Sequence, residues 1–332
     1  MKNKIVELIA ANVEGLTAAE IADLIEIPPK PELGDFAFPC FRLAKTMRKA
    51  PQMIANDIKE AIGDVDFLQE IQVQGAYLNF FVKKELFIET MVTASMADDF
   101  GSSTEGNGQT ICIDYSSPNV AKNFHVGHLR TTIIGNSLYK IYSKLGYKVV
   151  RINHLGDWGT QFGKLIVAYK AWGSEEAVKK DGVAELMKLY VKFHEEAEKN
   201  PELNDEARAW FAKMEHGDEE ALKIWQWFKD ISLIEYKRTY DLLGMDFDYY
   251  LGESFYRDKT DDVVKRLTDA NLLTESEGAK IVNLDAYDMA PCLILKNDGS
   301  SIYATRDIAA IFYRKETYNF VKCLYVTGQE QK

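Results

Sequence analysis

Residues 110–128 read TICIDYSSPNVAKNFHVGH and contain the parts of one structural unit in order. Thr110 to Tyr115 is a short, β-rich apolar run, and Ser116 to Gly127 is a polar loop. An apolar stripe at helical spacing follows and ends at Gly146, a residue typical of the position after a helix. Tyr147 to Ile152 is a second strand-like run. A strand, a loop, a helix and a strand of these lengths predict a βαβ unit with a parallel sheet.

The rest of the chain predicts an α/β protein of two domains. The glycine-rich stretch 101–108 is typical of a linker, so we expect a small α+β domain over residues 1–106 and a parallel-sheet domain over 107–332. Residues 174–243 are acidic and strongly helical, and they are too long for a simple crossover, which indicates an inserted helical segment. Further strands are predicted near 279–284, 293–296 and 321–327, with a helix over 305–316.

Composition excludes several classes of protein. The net charge of −11 argues against a general nucleic-acid coat protein, which usually carries a basic balance, although a local basic patch remains possible. The longest uncharged run, Ile71 to Val82, is too short to cross a bilayer as a helix. The N-terminus lacks the pattern of a signal peptide, and no two of the four cysteines have metal-ligand or redox spacing. We therefore expect a cytoplasmic protein with no structural metal.

The polar loop and the histidines after it suit a phosphate ligand. They follow the carboxyl end of a predicted strand and stand at the N-terminus of a helix, whose free N–H groups and partial positive charge attract anions. Gly127 allows close approach to the backbone, His125 and His128 can donate hydrogen bonds to phosphate oxygens, and Lys122 can add a positive charge. The alternative is that one or both histidines only cap the helix or fill a polar corner.

Three segments together resemble the arginyl-tRNA synthetases, a family of class I aminoacyl-tRNA synthetases. His125-Val126-Gly127-His128 resembles the first class I signature, and Ser116 to Lys122 is similar to its surroundings in this family. Asn153 to Gly163, which includes Gly156-Asp157-Trp158-Gly159, and Tyr303 to Asp307 resemble two further family segments. The first signature alone would indicate only the nucleotidyl-transfer superfamily, whereas the three segments in order are specific.

The resemblance implies a Rossmann-like catalytic domain and a two-step reaction. ATP, accompanied by Mg²⁺, and L-arginine would form arginyl-adenylate, and the arginyl group would pass to the terminal adenosine of tRNA(Arg). The implied partners are thus tRNA(Arg), L-arginine and ATP, with no membrane or DNA partner, and we expect a monomer. No protein nucleophile is needed because the substrate carboxylate attacks, so catalysis would consist mainly of positioning and electrostatic stabilisation.

The resemblance also implies roles for individual residues. It assigns catalysis to His125, His128 and Lys122, and ATP binding to these three together with Gly127. It places arginine among Asp114, Asn119, His128, Tyr303, Asp307 and Gln331. We expect Asp307 to bind the guanidinium, since a carboxylate matches its planar donors, and Tyr303 to share a helical face with it.

Plainer alternatives exist for several of these residues. Asp307 could be a carboxylate that complements a helix N-terminus, and Gln331 could be solvated. The Gly-Asp-Trp-Gly segment could be a tight packing turn, with Trp158 in the core or the pocket wall. His194 and His216 lie in the charged helical segment, where we expect them to be solvated.

The first domain resembles the additional N-terminal domain of the family, which contacts tRNA. Its candidate contacts are Arg42, Lys45, Arg48 and Lys49, in a run without acids from Phe41 to Lys49 that we expect to be one helix. Three of the four, Arg42, Lys45 and Lys49, would then share a face that could meet phosphates. The alternative is an ordinary solvated face, and the domain charge of −7 (10 basic, 17 acidic) means that any such contact is local.

One departure from the family pattern affects the expected activity. Class I enzymes carry a second signature, a lysine-containing loop, and neither that loop nor a helical anticodon-binding domain is found in this sequence. We therefore expect the first part of a longer enzyme, with little or no activity alone. The open alternatives are another nucleotidyltransferase with the same superfamily motif and a non-catalytic tRNA- or protein-binding module. A dinucleotide dehydrogenase is disfavoured because the first strand-to-helix turn lacks a glycine-rich fingerprint.

Overall fold

The chain divides into two units in a computed structural model that describes residues 1–297 and 299–328. The first unit is Met1–Gly101 and the second is Ser102–Lys332. Among the described residues, no helix combines the length and the apolar character needed to cross a membrane.

The first unit packs helices on a three-stranded antiparallel sheet of order β1-β3-β2. Its elements are α1 (Lys2–Asn12), α2 (Ala18–Leu24), β1 (Phe36–Pro39), α3 (Ala44–Met47), α4 (Pro51–Ile62), β2 (Leu68–Gln74), β3 (Tyr77–Val82) and α5 (Lys84–Ser95). Apolar positions at helical spacing, such as Ile5 and Ile9 on α1 and Ile54 and Ile58 on α4, are fully or almost fully buried against the sheet residue Phe80. The predicted α+β character of this unit is confirmed.

The predicted helix over 41–49 is wrong in its extent. Cys40–Leu43 is a 3₁₀ turn, α3 is one turn long, and Arg48 adopts a left-handed conformation with φ of 51°. Because Arg48 breaks the helix, Lys49 lies outside it and does not share a helical face with Arg42 and Lys45. Pro51 then begins α4, the position where a proline is well tolerated.

The second unit contains the predicted parallel sheet. Its strands are β4 (Thr110–Asp114), β5 (Lys148–Asn153), β6 (Tyr249–Tyr250) and β10 (Lys322–Tyr325), in the order β10-β4-β5-β6, and all three pairings are parallel. Helix α6 (Val126–Lys144) makes the crossover between β4 and β5, so the predicted βαβ unit is confirmed. Asp114 and Asn153 are the last residues of neighbouring strands and thus lie at the same edge of the sheet.

The residues predicted as a linker lie in part against the end of α6. The backbone N–H groups of Ser103, Gly106 and Gly108 donate to the carbonyls of Lys144, Leu145 and Gly146 at 2.7–3.0 Å. These bonds satisfy carbonyls that the helix end leaves open. Residues 103–108 are therefore anchored to the second unit and do not form a free connection.

The inserted segment is helical, as predicted. It contains α8 (Glu175–Asp181), α9 (Val183–Lys199), α10 (Glu202–Glu215) and α11 (Glu219–Leu242). The last three pack with α7 (Thr160–Trp172), and α8 packs with α9. Their shared core includes Phe193, Trp210 and Phe228. Gly163 permits the closest contact, because a Cβ atom there would lie 2.0 Å from the carbonyl oxygen of Ala207 on α10.

The last part of the second unit adds a small antiparallel sheet and two helices. Strands β7 (Leu273–Ser276), β8 (Ala279–Val282) and β9 (Cys292–Leu295) pair in sequence order, as an element beside the parallel sheet. Helix α12 (Thr260–Asp269) packs with α13 (Tyr303–Tyr318), the helix that was predicted over 305–316. Helix α13 contacts both β9 and β4, and Arg314 on α13 reaches Asp114, the last residue of β4.

Candidate active site

The loop between β4 and α6 is held in place by the insertion helix α11. The Tyr236 hydroxyl lies 2.6 Å from the Asn119 carbonyl and 2.7 Å from the Lys122 carbonyl, and the Ala121 N–H donates to Ser232 Oγ at 2.9 Å. Tyr236 and Ser232 are fully buried. Contacts with α11 therefore hold the conformation of the loop between β4 and α6. Local sequence patterns do not reveal this role of the inserted helices.

A second predicted segment pairs with this loop. The Gly156 N–H donates to the Pro118 carbonyl, and the Val120 N–H donates to the Gly156 carbonyl, both at 3.1 Å. Gly156 has no room for a side chain, because a Cβ atom would lie 2.1 Å from Oδ1 of Asn119. The structure thus brings the Gly-Asp-Trp-Gly segment directly beside the loop, with Asn119 itself exposed.

The remainder of that segment is a packing turn. Trp158 is buried in the core of the insertion, edge-to-face against Trp225. Asp157 is fully buried and accepts hydrogen bonds from the N–H and hydroxyl of Ser254 at 2.8 and 2.7 Å. Its carboxylate also pairs with the Lys229 ammonium of α11 at 2.7 Å. This segment therefore connects the sheet, the loop and the insertion.

The two signature histidines lie side by side at the N-terminus of α6. Their rings are stacked, with centroids 3.8 Å apart. His125 Nδ1 accepts from the Gly127 N–H at 3.1 Å, and His128 Nδ1 accepts from the His125 N–H at 3.3 Å. An acceptor Nδ1 places the proton of a neutral imidazole on Nε2, so each ring keeps one N–H donor for a ligand.

These bonds also confirm part of the plainer alternative, since His125 does cap the helix. Burial, with a further contribution from His125, lowers the pKa of His128 to about 4. His128 is therefore neutral at physiological pH in the free protein, and its contribution to a phosphate site is a hydrogen bond rather than a full charge. Partial positive charge at this position comes from the N-terminus of α6.

Lys122 contacts the insertion in this structure. Its ammonium lies over the ring of Tyr190 on α9, 5.6 Å from the ring centroid. His194, one turn further along α9, has a pKa lowered by burial first and then by the nearby charges of Lys164 and Lys122. His194 is exposed, as predicted, and it lies near the loop lysine Lys122.

Two predicted arginine-binding residues share a helical face at the start of α13. Tyr303 and Asp307 are four residues apart in the first two turns, as expected. The Asp307 side chain is 41% exposed and thus reachable. Burial raises its pKa, while His154 and the Tyr303 hydroxyl act in the opposite direction. Asp307 is therefore a partly desolvated carboxylate.

Asp114 is already paired. Its Oδ2 accepts from the guanidinium of Arg314 at 2.7 Å and its Oδ1 accepts from the Ser117 hydroxyl at 2.8 Å. Arg314 is fully buried, and its Nη2 also lies 3.3 Å from Nδ1 of His154. His154 Nε2 in turn faces Asp307 Oδ1 at 3.8 Å. A chain of polar groups thus runs from Asp114 through Arg314 and His154 to Asp307.

A third carboxylate lies near this chain. Glu253 accepts from Nε and Nη2 of Arg306 at 3.2 and 3.1 Å, and burial raises its pKa despite this partner. The sequence prediction missed Arg314, Glu253 and Arg306, and it gave His154 no role. His154 belongs to the quoted Asn153–Gly163 segment, so its position could have been singled out. Arg306 likewise lies within the quoted Tyr303–Asp307 segment, whereas Arg314 looks like an ordinary surface residue in the sequence.

The remaining candidates fall elsewhere. Gln331 lies outside the described residues. In the first unit, the four basic candidates are all exposed, and Lys49 pairs with Asp57 at 2.6 Å. Among residues 1–297 and 299–328, no three His, Cys, Asp or Glu side chains are grouped as a metal site.

Family models match both parts of the chain. Residues 91–332 match the model described as "tRNA synthetases class I (R), catalytic domain", and residues 3–82 match "Arginyl tRNA synthetase N terminal domain". The chain is 57% identical to the arginine–tRNA ligase of Alkaliphilus metalliredigens and 56% identical to that of Clostridium perfringens. Both alignments cover 99% of this chain but only 59% and 58% of the relatives, so the chain spans less than two thirds of their length.

Solved structures agree on the fold. The Plasmodium falciparum arginyl-tRNA synthetase superposes with a TM-score of 0.68 at 24% identity, over 99% of this chain and 59% of that one. The Thermus thermophilus arginyl-tRNA synthetase superposes with a TM-score of 0.62 at 23% identity, over 95% of this chain and 53% of that one. At these identities the likeness supports the fold alone.

Proposed function

The chain belongs to the arginyl-tRNA synthetase family, and we propose that it supplies the arginine pocket and part of the ATP site of an arginine–tRNA ligase. The observation that carries this proposal is the placement of two polar clusters on the parallel-sheet unit. The paired imidazoles of His125 and His128 lie at the N-terminus of α6, and the partly desolvated carboxylate of Asp307 lies on α13. Both helices contact strand β4.

The first step is activation of arginine. The substrate carboxylate attacks the α-phosphorus of ATP, the bond to the β-phosphate oxygen breaks, and pyrophosphate leaves. The Nε2–H groups of His125 and His128 donate to phosphate oxygens, and the N-terminus of α6 stabilises the charge that develops there. Lys122 adds a positive charge. Mg²⁺ arrives as part of the ATP substrate, bound by phosphate oxygens.

Arginine is selected at the start of α13. The Asp307 carboxylate binds the guanidinium, and the Tyr303 hydroxyl borders the same group. A partly buried carboxylate gains more from a guanidinium than an exposed one, because a charge-assisted hydrogen bond strengthens as water is excluded. Asn119, exposed beside Gly156, is suited to the amino or carboxylate end of the substrate.

The second step uses tRNA(Arg). The 2′-hydroxyl of its terminal adenosine attacks the arginyl carbonyl, and AMP leaves. The exposed cations Arg42, Lys45, Arg48 and Lys49 of the first unit contact tRNA phosphates. We further propose a cytoplasmic, monomeric protein, and the free state of all four cysteines fits a reducing compartment.

Calorimetry with the 332-residue chain tests the pocket. We expect L-arginine to bind and L-lysine to bind at least tenfold more weakly, and Asp307→Ala to abolish arginine binding. Asp269→Ala is the matched control, because that exposed carboxylate pairs with Lys265 on the surface of α12. Equal affinity for both amino acids contradicts the arginine assignment. Binding of ATP without either amino acid would favour a different nucleotidyltransferase.

Filter binding with tRNA(Arg) tests the first unit. Arg42→Glu should weaken binding and reduce its salt dependence, whereas Lys59→Glu on the exposed face of α4 should not. Identical behaviour of the two variants would contradict the proposed contact. Binding of tRNA with no affinity for ATP or arginine would favour a non-catalytic module.

A further inference from the structure

We propose that Arg314 is a positioning residue that neutralises Asp114, so that Asp307 is the carboxylate left open for the substrate side chain. This inference rests on the proposed arginine pocket and refines it. It assigns to Asp114 an indirect part in arginine selection, acting through an arginine of the protein itself.

The geometry places Arg314 where such a role is possible. Arg314 lies seven residues after Asp307 on α13, two helical turns further along the same face. From there it reaches the last residue of β4, and its Nη2 donates to Asp114 at 2.7 Å. The pair is closed to water, with side-chain exposures of 1% for Arg314 and 9% for Asp114.

Two of the three carboxylates near the pocket have a guanidinium partner. Glu253 is matched by Arg306 at 3.1 Å, and Asp114 is matched by Arg314. Asp307 interacts with the uncharged Tyr303 hydroxyl, and the one ion pair it makes with a described residue is with His154, whose Nε2 is 3.8 Å away, beyond hydrogen-bond distance. Two protein guanidiniums therefore satisfy two of three carboxylates, and the remaining carboxylate corresponds to the single positive charge of an arginine side chain.

His154 lies between Arg314 and Asp307 and contacts the Arg314 guanidinium. A guanidinium can only donate, so the Arg314 contact at 3.3 Å makes Nδ1 of His154 an acceptor and leaves the ring proton on Nε2. That N–H points towards Asp307 and is buried, with no hydrogen-bond partner among residues 1–297 and 299–328. Arg314 thus neutralises Asp114 and also orients the His154 ring that faces Asp307.

Calorimetry on the chain with arginine and lysine tests the proposal. We expect Arg314→Met to lower the ratio of arginine to lysine affinity at least tenfold, because Asp114 then offers lysine a second open carboxylate. Adding Asp114→Asn to that variant removes the extra charge and should recover most of the ratio. The control is Arg266→Met, because Arg266 pairs with Glu316 of α13 but is exposed, and its ratio should stay within twofold.

Each outcome decides between the readings. An unchanged ratio in folded Arg314→Met overturns the proposal, and so does a loss that Asp114→Asn does not recover, since that would make Arg314 a structural residue only. If Arg314→Met fails to fold, the double variant of Arg314→Met and Asp114→Asn decides alone. An arginine-to-lysine affinity ratio more than tenfold below the wild-type value would then contradict the proposed neutralisation of Asp114. Failure of the wild-type chain to bind arginine would instead overturn the proposed function, and this inference with it.

Discussion

Asp157 connects the helical insertion to the parallel-sheet unit, and we expect Asp157→Ala to destabilise that unit by about 3–5 kcal/mol. The carboxylate is fully buried, accepts two hydrogen bonds from Ser254, and lies 2.7 Å from the Lys229 ammonium, which is 15% exposed. Its removal leaves a nearly buried ammonium without a counter-charge and a backbone donor without an acceptor. Breaking a buried pair from one side typically costs about 3–5 kcal/mol.

Tryptophan fluorescence during urea unfolding measures this loss selectively. All five tryptophans, between Trp158 and Trp227, belong to the second unit, so the signal reports that unit alone. Trp225 is especially close, because its indole N–H donates to the Asp157 carbonyl at 2.7 Å. Asp269→Ala, which breaks an exposed pair, should cost less than about 1 kcal/mol in the same assay.

A double variant separates the ion pair from simple loss of packing. Asp157→Ala combined with Lys229→Met removes both charges, and a buried pair can often be replaced by apolar groups at little cost. We expect the double variant to recover at least about 1.5 kcal/mol relative to Asp157→Ala. A loss below about 1 kcal/mol in the single variant, or no recovery in the double variant, would refute the reasoning.

Two further predictions concern the signature loop and its helix. In an NMR titration the His128 ring should titrate near pH 4 rather than 6.5. Because the folded protein favours the neutral ring, the free energy of unfolding should fall as the pH drops from 6.5 towards 4. A titration midpoint above pH 6 would contradict the burial argument. In calorimetry Gly127→Ala should weaken ATP binding by about tenfold with little change in stability, because its Cβ atom would lie 3.0 Å from the His125 ring. Gly135→Ala should instead lower the free energy of unfolding by about 1–3 kcal/mol, because its Cβ atom would lie 2.2 Å from Tyr115, and an unchanged urea midpoint would contradict this overpacking.

Much of the fold and part of the site follow from local sequence patterns. The β4-α6-β5 unit is predicted because apolar periodicity and turn residues record which face of each element is buried. The positions of His125 and His128 at a helix N-terminus, and of Tyr303 and Asp307 on one helical face, follow from the same periodicity. The helix predicted over 41–49 fails because periodicity does not reveal the left-handed residue at Arg48.

The pairings that give the site its charges are decided by the tertiary structure. Asp114 and Arg314 are 200 residues apart, and Asp157 and Ser254 are 97 apart, so no local pattern links them. In sequence, a buried arginine in an amphipathic helix cannot be distinguished from a solvated one, because its partner is supplied by another element. The sequence by itself determined which groups can carry charge, whereas folding determined which charges are neutralised inside the protein and left the Asp307 carboxylate partly exposed.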